Sequence, residues 1–253
     1  MHNQHRLNQQ QYHEKSESYL NSTVHAQGAE FAKMLKVCEH YPAAKVLDLG
    51  CGGGHVSYQL ASQVDSIIAY DLSAEMVQLV ATQAKERALH NVQTQAGAAE
   101  QLSFSDQSFD VVVSRYSAHH WQNIQQALAE VHRVLKPQGR AVFFDVLGSS
   151  DPILDTFLQC IEMIRDPSHV RNYSMAEWLA MVEYHGFQVE IIEKQSLVLD
   201  FDAWVARMRT PTAAIHTIRN IQDKVSDHVR RYYQIQPDGR FTSPTLYLQL
   251  TKI

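Results

Sequence analysis

Gly50-Cys51-Gly52-Gly53-Gly54 follows an apolar run, Val46-Leu47-Asp48-Leu49, and precedes residues of helical character that begin at His55. Glycines at the carboxyl end of a strand let the backbone bend sharply and approach a ligand that a Cβ would hold off. The plainer use of such a cluster is a turn with no ligand. The next apolar run, Ile67-Ile68-Ala69-Tyr70, ends in Asp71, at the usual separation from the first strand for a carboxylate that receives ribose hydroxyls. Its two oxygens can accept from both hydroxyls of a 2',3'-diol. The alternative use of Asp71 is to cap a helix beginning near Ala74, a task that Ser73 can perform itself. Bend and acid together point to an adenosine-bearing ligand.

Spacing removes two nucleotide sites. The dinucleotide pattern G-x-G-x-x-G fails from Gly50, where its last position is His55, and from Gly52, where it is Ser57. No G-K-[ST] closes the loop, so the phosphate-binding P-loop is absent too. A second group with chemical capacity follows a later strand: Tyr116, His119 and His120. Imidazole titrates near neutral pH, so His119 or His120 can act as a proton acceptor, with His120 preferred. Adjacent histidines there serve equally as a packed ring and a helix-start residue. The 14 histidines show no H-E-x-x-H spacing, and His119 with His120 has no evident companion acid in the sequence, so no metal site is expected.

An alternation of elements must position these residues. Short strands are expected at 45–49, 66–70, 91–95, 109–114 and 140–147, with helices at 55–63, 73–89 and from Ile124 to Leu135. Continuous apolar strands separated by amphipathic helices predict an α/β sheet, mostly parallel and covered on both faces. A helix is expected at 24–38, and no sustained periodicity before Ser18. The last hundred residues predict helices at 153–164, 175–185, 201–208 and 214–232, a long strand at 187–199 and a final one at 245–250. Residues 201–236 form either a lid or plain packing on the sheet edge. The whole chain, 1–253, reads as one domain whose first 23 residues form an amino-terminal cover.

Between Val46 and Leu147 the chain resembles the class I S-adenosylmethionine-dependent methyltransferases, in particular the ubiquinone/menaquinone C-methyltransferase-like (methyltransferase type 11) group. Leu47-Asp48-Leu49-Gly50-Cys51-Gly52-Gly53-Gly54 is similar to that family's first motif. The resemblance implies a Rossmann-like seven-stranded sheet, with Asp48 orienting the methionine amino group or the loop and Gly50, Cys51 and Gly52 against the cofactor. It implies Asp71 on the ribose, Leu72 and Met76 lining the adenosine pocket, and Gly97-Ala98-Ala99-Glu100 cradling adenine. Ala98 stands where the family commonly has aspartate, which transfers the adenine contact to the backbone of Ala99 or to Glu100. Ser114 and Arg115 would approach the methionine part through backbone, and the loop through Tyr116, His119 and His120 would face the substrate. The turn Leu135-Lys136-Pro137-Gln138-Gly139 looks like the family's turn before the fifth strand.

The implied reaction moves a methyl group from S-adenosyl-L-methionine to a small molecule and leaves S-adenosyl-L-homocysteine. Tyr12, Tyr19 and His25 are candidates to close over the donor. His169, Arg171 and Arg207 are candidates for the acceptor pocket, together with Tyr116 and His119, and make an acidic or phenolic acceptor worth testing. A formal charge of -5 and the lack of a lysine or arginine run argue against a nucleic-acid partner. No apolar run reaches the roughly 20 residues of a membrane span or forms a signal peptide, and three scattered cysteines suit a reducing compartment. The expectation is a cytoplasmic monomer or homodimer. Two other readings stand beside it: a noncatalytic adenosyl-cofactor-binding regulatory protein, and a nicotinamide-dependent oxidoreductase, which the failed glycine fingerprint disfavours.

Overall fold

The computed structural model describes residues 4–12, 28–41 and 43–253. Seven strands make one sheet: β1 (Lys45–Leu49), β2 (Ser66–Asp71), β3 (Val92–Ala96), β4 (Phe109–Arg115), β5 (Leu135–Val146), β6 (Phe187–Leu199) and β7 (Phe241–Lys252). Their spatial order is β3-β2-β1-β4-β5-β7-β6. β1 to β5 run parallel, whereas β7 pairs antiparallel with both β5 and β6. The order reverses between β1 and β4, so the crossovers on either side leave in opposite directions. A crevice opens there at the carboxyl ends of the strands.

Period-two alternation sorts the side chains of the central strands into two cores. On one face Leu47, Val112 and Phe143 pack with Leu128 and Val131 of α5 (Ile124–Val134) and with Trp178 and Val182 of α7 (Met175–Tyr184). On the other, Val46, Val111, Val113 and Val142 pack with Phe31 and Met34 of α2 (Glu30–Cys38) and Val56 and Leu60 of α3 (His55–Leu60). Burial on both faces is why β1 and β4 are mostly apolar at their centres, while edge strand β3, Val-Gln-Thr-Gln-Ala, is not. α4 (Ala74–Glu86) starts at Ser73, whose hydroxyl accepts from Met76 N–H.

A third apolar cluster joins α6 (Pro152–Arg165) to α8 (Phe201–Arg207), α9 (Thr212–Lys224) and α10 (Asp227–Tyr232) through Leu158, Trp204, Ile218 and Val229. One helix was expected at 214–232; there are two, because Val225 is extended and Ser226 caps the second, accepting from Val229 N–H. β7 is longer than its apolar stretch, since two partner strands hold its ends. Before Ser18, where no element was expected, Gln4–Tyr12 is a polar helix, α1.

α2 is tied to the end of β4 by a buried ion pair. Arg115 Nη2 and Nε donate to Glu30 Oε1 at 2.6 and 2.8 Å, each side chain 5% exposed, and the guanidinium lies over the rings of Phe31 and Tyr116. Glu30→Ala removes the carboxylate that the buried guanidinium pairs with and is expected to cost about 3–5 kcal/mol in urea unfolding. Glu30→Leu combined with Arg115→Met should cost less than Glu30→Ala alone.

Candidate active site

The bend after β1 is fastened to the end of β2. Gly50 and Cys51 N–H both donate to Tyr70 O, at 2.8 and 3.0 Å, and Gly52 N–H donates to Asp71 Oδ2 at 2.9 Å. Gly50 has φ +76° and a Cβ there would collide with the Ser117 side chain. Gly52 has φ +48° and no atom within 4 Å of where a Cβ would sit, so its backbone is open to the crevice.

Two carboxylates flank the bend. Asp71 accepts Gly52 N–H on one oxygen and Ser73 N–H, at 2.9 Å, on the other, leaving further lone pairs on both. Burial raises its pKa against those bonds. Asp48, 1% exposed, accepts the N–H and hydroxyl of Ser57 on Oδ2 at 3.0 and 2.7 Å. Its Oδ1 has no partner. Burial outweighs the Ser57 bonds and pushes the Asp48 carboxyl up to about 7.

Asp48, Gly50, Cys51, Gly52, Asp71, Leu72, Met76, Ala98, Ala99, Glu100 and the backbone region of Arg115 and Tyr116 all line one cavity of about 950 Å³, counting its open mouth. That size suits a ligand of several rings. Of the residues expected at the cofactor, Ser114 alone is not brought to this wall: it is sealed inside the sheet, its hydroxyl unpartnered. Glu100 is occupied, accepting Asn123 N–H on one oxygen and facing His5 at 3.3 Å on the other. No residue pattern pointed to His5 and Asn8, which line the cavity from α1. That helix reaches both sides of the opening: Gln4 donates to Ser168 O and Gln9 to Leu72 O.

The far wall is built by Tyr116, Ser117, His120 and Trp121, around the 3₁₀ turn Ala118–His120. Tyr116 has φ +52°, a costly conformation for a residue with a Cβ, and holds it by donating its N–H to Phe144 O and packing its ring on Phe144. His119 does have an acid partner: Nδ1 donates to Asp145 Oδ1 at 2.5 Å, from the end of β5. The apolar run Ala141-Val142-Phe143-Phe144 ending in Asp145 repeats the strand-then-acid pattern of Asp48 and Asp71, a signal that could have found it. Burial lowers the His119 pKa, and the Asp145 charge and hydrogen bond more than reverse this, so it stands above the ordinary value.

His120 lines the cavity, yet both its ring nitrogens meet the turn after α6: Nδ1 donates to Ser168 O at 3.2 Å, and Nε2 is 3.9 Å from Asp166 Oδ2. Burial, then the neighbouring His119 charge, drops its pKa to about 4. His169 lies behind, bonded to Gln159 and held well down by burial. Arg171 pairs with Asp155 and Glu177, so its charge is spent on helix contacts, although its N–H donates to His119 O. Arg207, on α8, is close enough to Tyr116 for its charge to bear on the phenol. None of His119, His169, Arg171 and Arg207 lines the cavity. Tyr19, His25 and the side chain of Tyr12 lie outside the described residues. Among the described residues no three His, Cys, Asp or Glu side chains are placed to hold a metal ion, and no helix is long and apolar enough to cross a membrane.

Residues 47–143, the span from β1 into β5, match the family described as Methyltransferase domain. An uncharacterised Escherichia coli protein, YafE, is 44% identical over 80% of this chain and 98% of its own length. The uncharacterised methyltransferase YcgJ of Bacillus subtilis is 36% identical over 88% of each chain. The YcgJ crystal structure superposes with a TM-score of 0.84, covering 88% of this chain and 97% of its own. A demethylmenaquinone methyltransferase of Lactococcus lactis is 33% identical over 52% of each.

Asp48 titrates at about 7 in the folded chain against an ordinary 3.8. Between those values the native state holds a proton that the unfolded chain releases, so stability falls as pH rises through this window. Asp48→Asn removes that dependence. Urea unfolding of the ligand-free protein should show the variant gaining on wild type from pH 4 to pH 7, with a constant difference above; parallel curves would remove the buried charge from Asp48.

Proposed function

The chain belongs to the class I S-adenosylmethionine-dependent methyltransferases and is such an enzyme, and from that premise we propose that it methylates a small-molecule acceptor with S-adenosylmethionine held in the cavity between β1 and β4. The observation that carries the proposal is Asp48 Oδ1, a buried carboxylate oxygen without a partner on the cavity wall. A buried charge is unfavourable unless something pairs with it. The ammonium of the cofactor's methionine part is such a partner, one that a nicotinamide dinucleotide lacks.

The remaining wall fits the same group. The open backbone at Gly52 admits close approach, and Asp71 retains lone pairs for the two ribose hydroxyls. Leu72 and Met76 supply an apolar face for adenine, and the Ala98–Glu100 backbone supplies polar groups at its rim. When bound, S-adenosylmethionine supplies an electrophilic methyl on a sulfonium, intrinsically reactive toward a nucleophile in line with it. The protein's work is then to hold both reactants close and exclude water. Tyr116, Ser117 and Trp121 bound the side where an acceptor would lie. α1 crosses the mouth and serves as the amino-terminal cover. α8–α10 pack on α6, and no residue of these helices is in the cavity lining.

Asp71→Ala tests the cofactor assignment. It deletes hydrogen bonds to a charged acceptor, worth about 1.5–3 kcal/mol each, so calorimetric affinity for S-adenosylhomocysteine should fall roughly 10-fold or more. Thermal unfolding of the same samples separates lost binding from lost fold. Unchanged affinity would take Asp71 out of the cofactor site.

A further inference from the structure

Ser117 stands in the cavity wall where the acceptor side meets the glycine bend. The left-handed backbone of Tyr116 turns the chain out of β4, and His120 N–H donates to Ser117 O at 2.9 Å, which fixes Ser117 at the start of the 3₁₀ turn. Its side chain lies against Gly50: a Cβ on that glycine would fall 1.8 Å from Ser117 Oγ. Trp121 Nε1 donates to the same oxygen at 3.1 Å, from a buried indole packed edge-on to Phe143. An indole N–H only donates, so Ser117 Oγ is the acceptor there and its own O–H remains to donate elsewhere. Among the described residues nothing accepts that proton. The bend beside it has few donors left. The N–H groups of Gly50 and Cys51 go to Tyr70 O, that of Gly52 to Asp71 and that of Gly54 to Cys51 O.

We infer that Ser117, oriented by Trp121, donates its hydroxyl to the carboxylate of the cofactor's methionine part. The inference rests on the S-adenosylmethionine reading and supplies a holder for the second charged group of that part. An α-amino acid carries its ammonium and carboxylate on one carbon, so a cofactor whose ammonium meets Asp48 Oδ1 requires a donor close by for the carboxylate. Asp48 lies two residues before Gly50, and the Ser117 side chain lies on Gly50. With four N–H groups of the bend already spent, the Ser117 O–H is the donor that remains at this point of the wall. A hydrogen bond to a charged acceptor is also stronger than one between neutral groups. The amino acid is then held from both sides of the crevice, by β1 through Asp48 and by the end of β4 through Ser117. Holding both groups limits the freedom of the chain that leads to the sulfur, which is the positioning that methyl transfer requires. Trp121 serves as a positioning residue, acting through Ser117 Oγ.

Calorimetric titration with three probes separates the two charged groups: S-adenosylhomocysteine, its decarboxylated form, which keeps the ammonium, and methylthioadenosine, which has neither. Wild type should bind S-adenosylhomocysteine roughly 10-fold or more tightly than the decarboxylated form. Ser117→Ala should erase that margin by weakening S-adenosylhomocysteine alone, with the other two probes at wild-type affinity. Asp48→Asn should instead weaken both probes that carry the ammonium and spare methylthioadenosine. Trp121→Phe keeps a ring and removes the N–H, so it should narrow the margin; loss of packing by itself weakens all three probes together and leaves their ratios in place. A margin unchanged in Ser117→Ala, or equal losses for all three probes, would overturn the inference, the first result assigning the hydroxyl to the acceptor instead. Failure of wild type to bind S-adenosylhomocysteine at all strikes the cofactor reading itself, a result distinct from binding with an unaltered margin.

Discussion

One hydrogen bond, from Gly52 N–H to Asp71 Oδ2, closes the site. It joins the bend after β1 to the acid after β2 and so converts two parallel strand ends into one wall. The bend can make that contact because Gly50 and Gly52 take left-handed backbone conformations, and because the Tyr70 carbonyl receives both N–H groups that precede it. With the wall set, the reversal of strand order between β1 and β4 provides the crevice.

Buried acids recur at the carboxyl ends of strands. Asp48 belongs to β1, Asp71 ends β2 and Asp145 lies near the end of β5. Each has at least one oxygen satisfied by neighbouring backbone N–H groups. What they do with the rest differs: Asp48 keeps an oxygen unpartnered, Asp71 keeps spare lone pairs toward the cavity, and Asp145 holds an imidazole. The same device therefore serves a cofactor ammonium, a diol and a histidine ring, according to what stands opposite.

Much of this was legible in the residues because it is local. The glycine bend, the acid closing the next strand and the apolar runs of β1 and β4 are contiguous in the chain, and their elements form where expected. What could not be read is what the fold brings together. Asp145 is 26 residues from His119, so the companion acid that the sequence lacks nearby comes from the adjacent strand. α1 is mostly polar, with Leu7 and Tyr12 too far apart to make an apolar stripe; its position depends on contacts with Leu72, Glu100 and Ser168, far along the chain. Ser114 was expected at the cofactor from its place in a motif, whereas strand alternation turns it inward. Arg171 was a candidate for the acceptor pocket, and two carboxylates already engage it.

The central claim is that the crevice recognises an adenosyl group bearing a charged amino acid. Calorimetric titration of the purified protein with S-adenosylmethionine and, separately, with NAD tests it most directly. Saturable binding of S-adenosylmethionine, strengthening as pH rises through 7 and Asp48 ionises, with no heat from NAD, is the expected result. Preferential binding of NAD, or S-adenosylmethionine binding indifferent to pH and to Asp48→Asn, would contradict it.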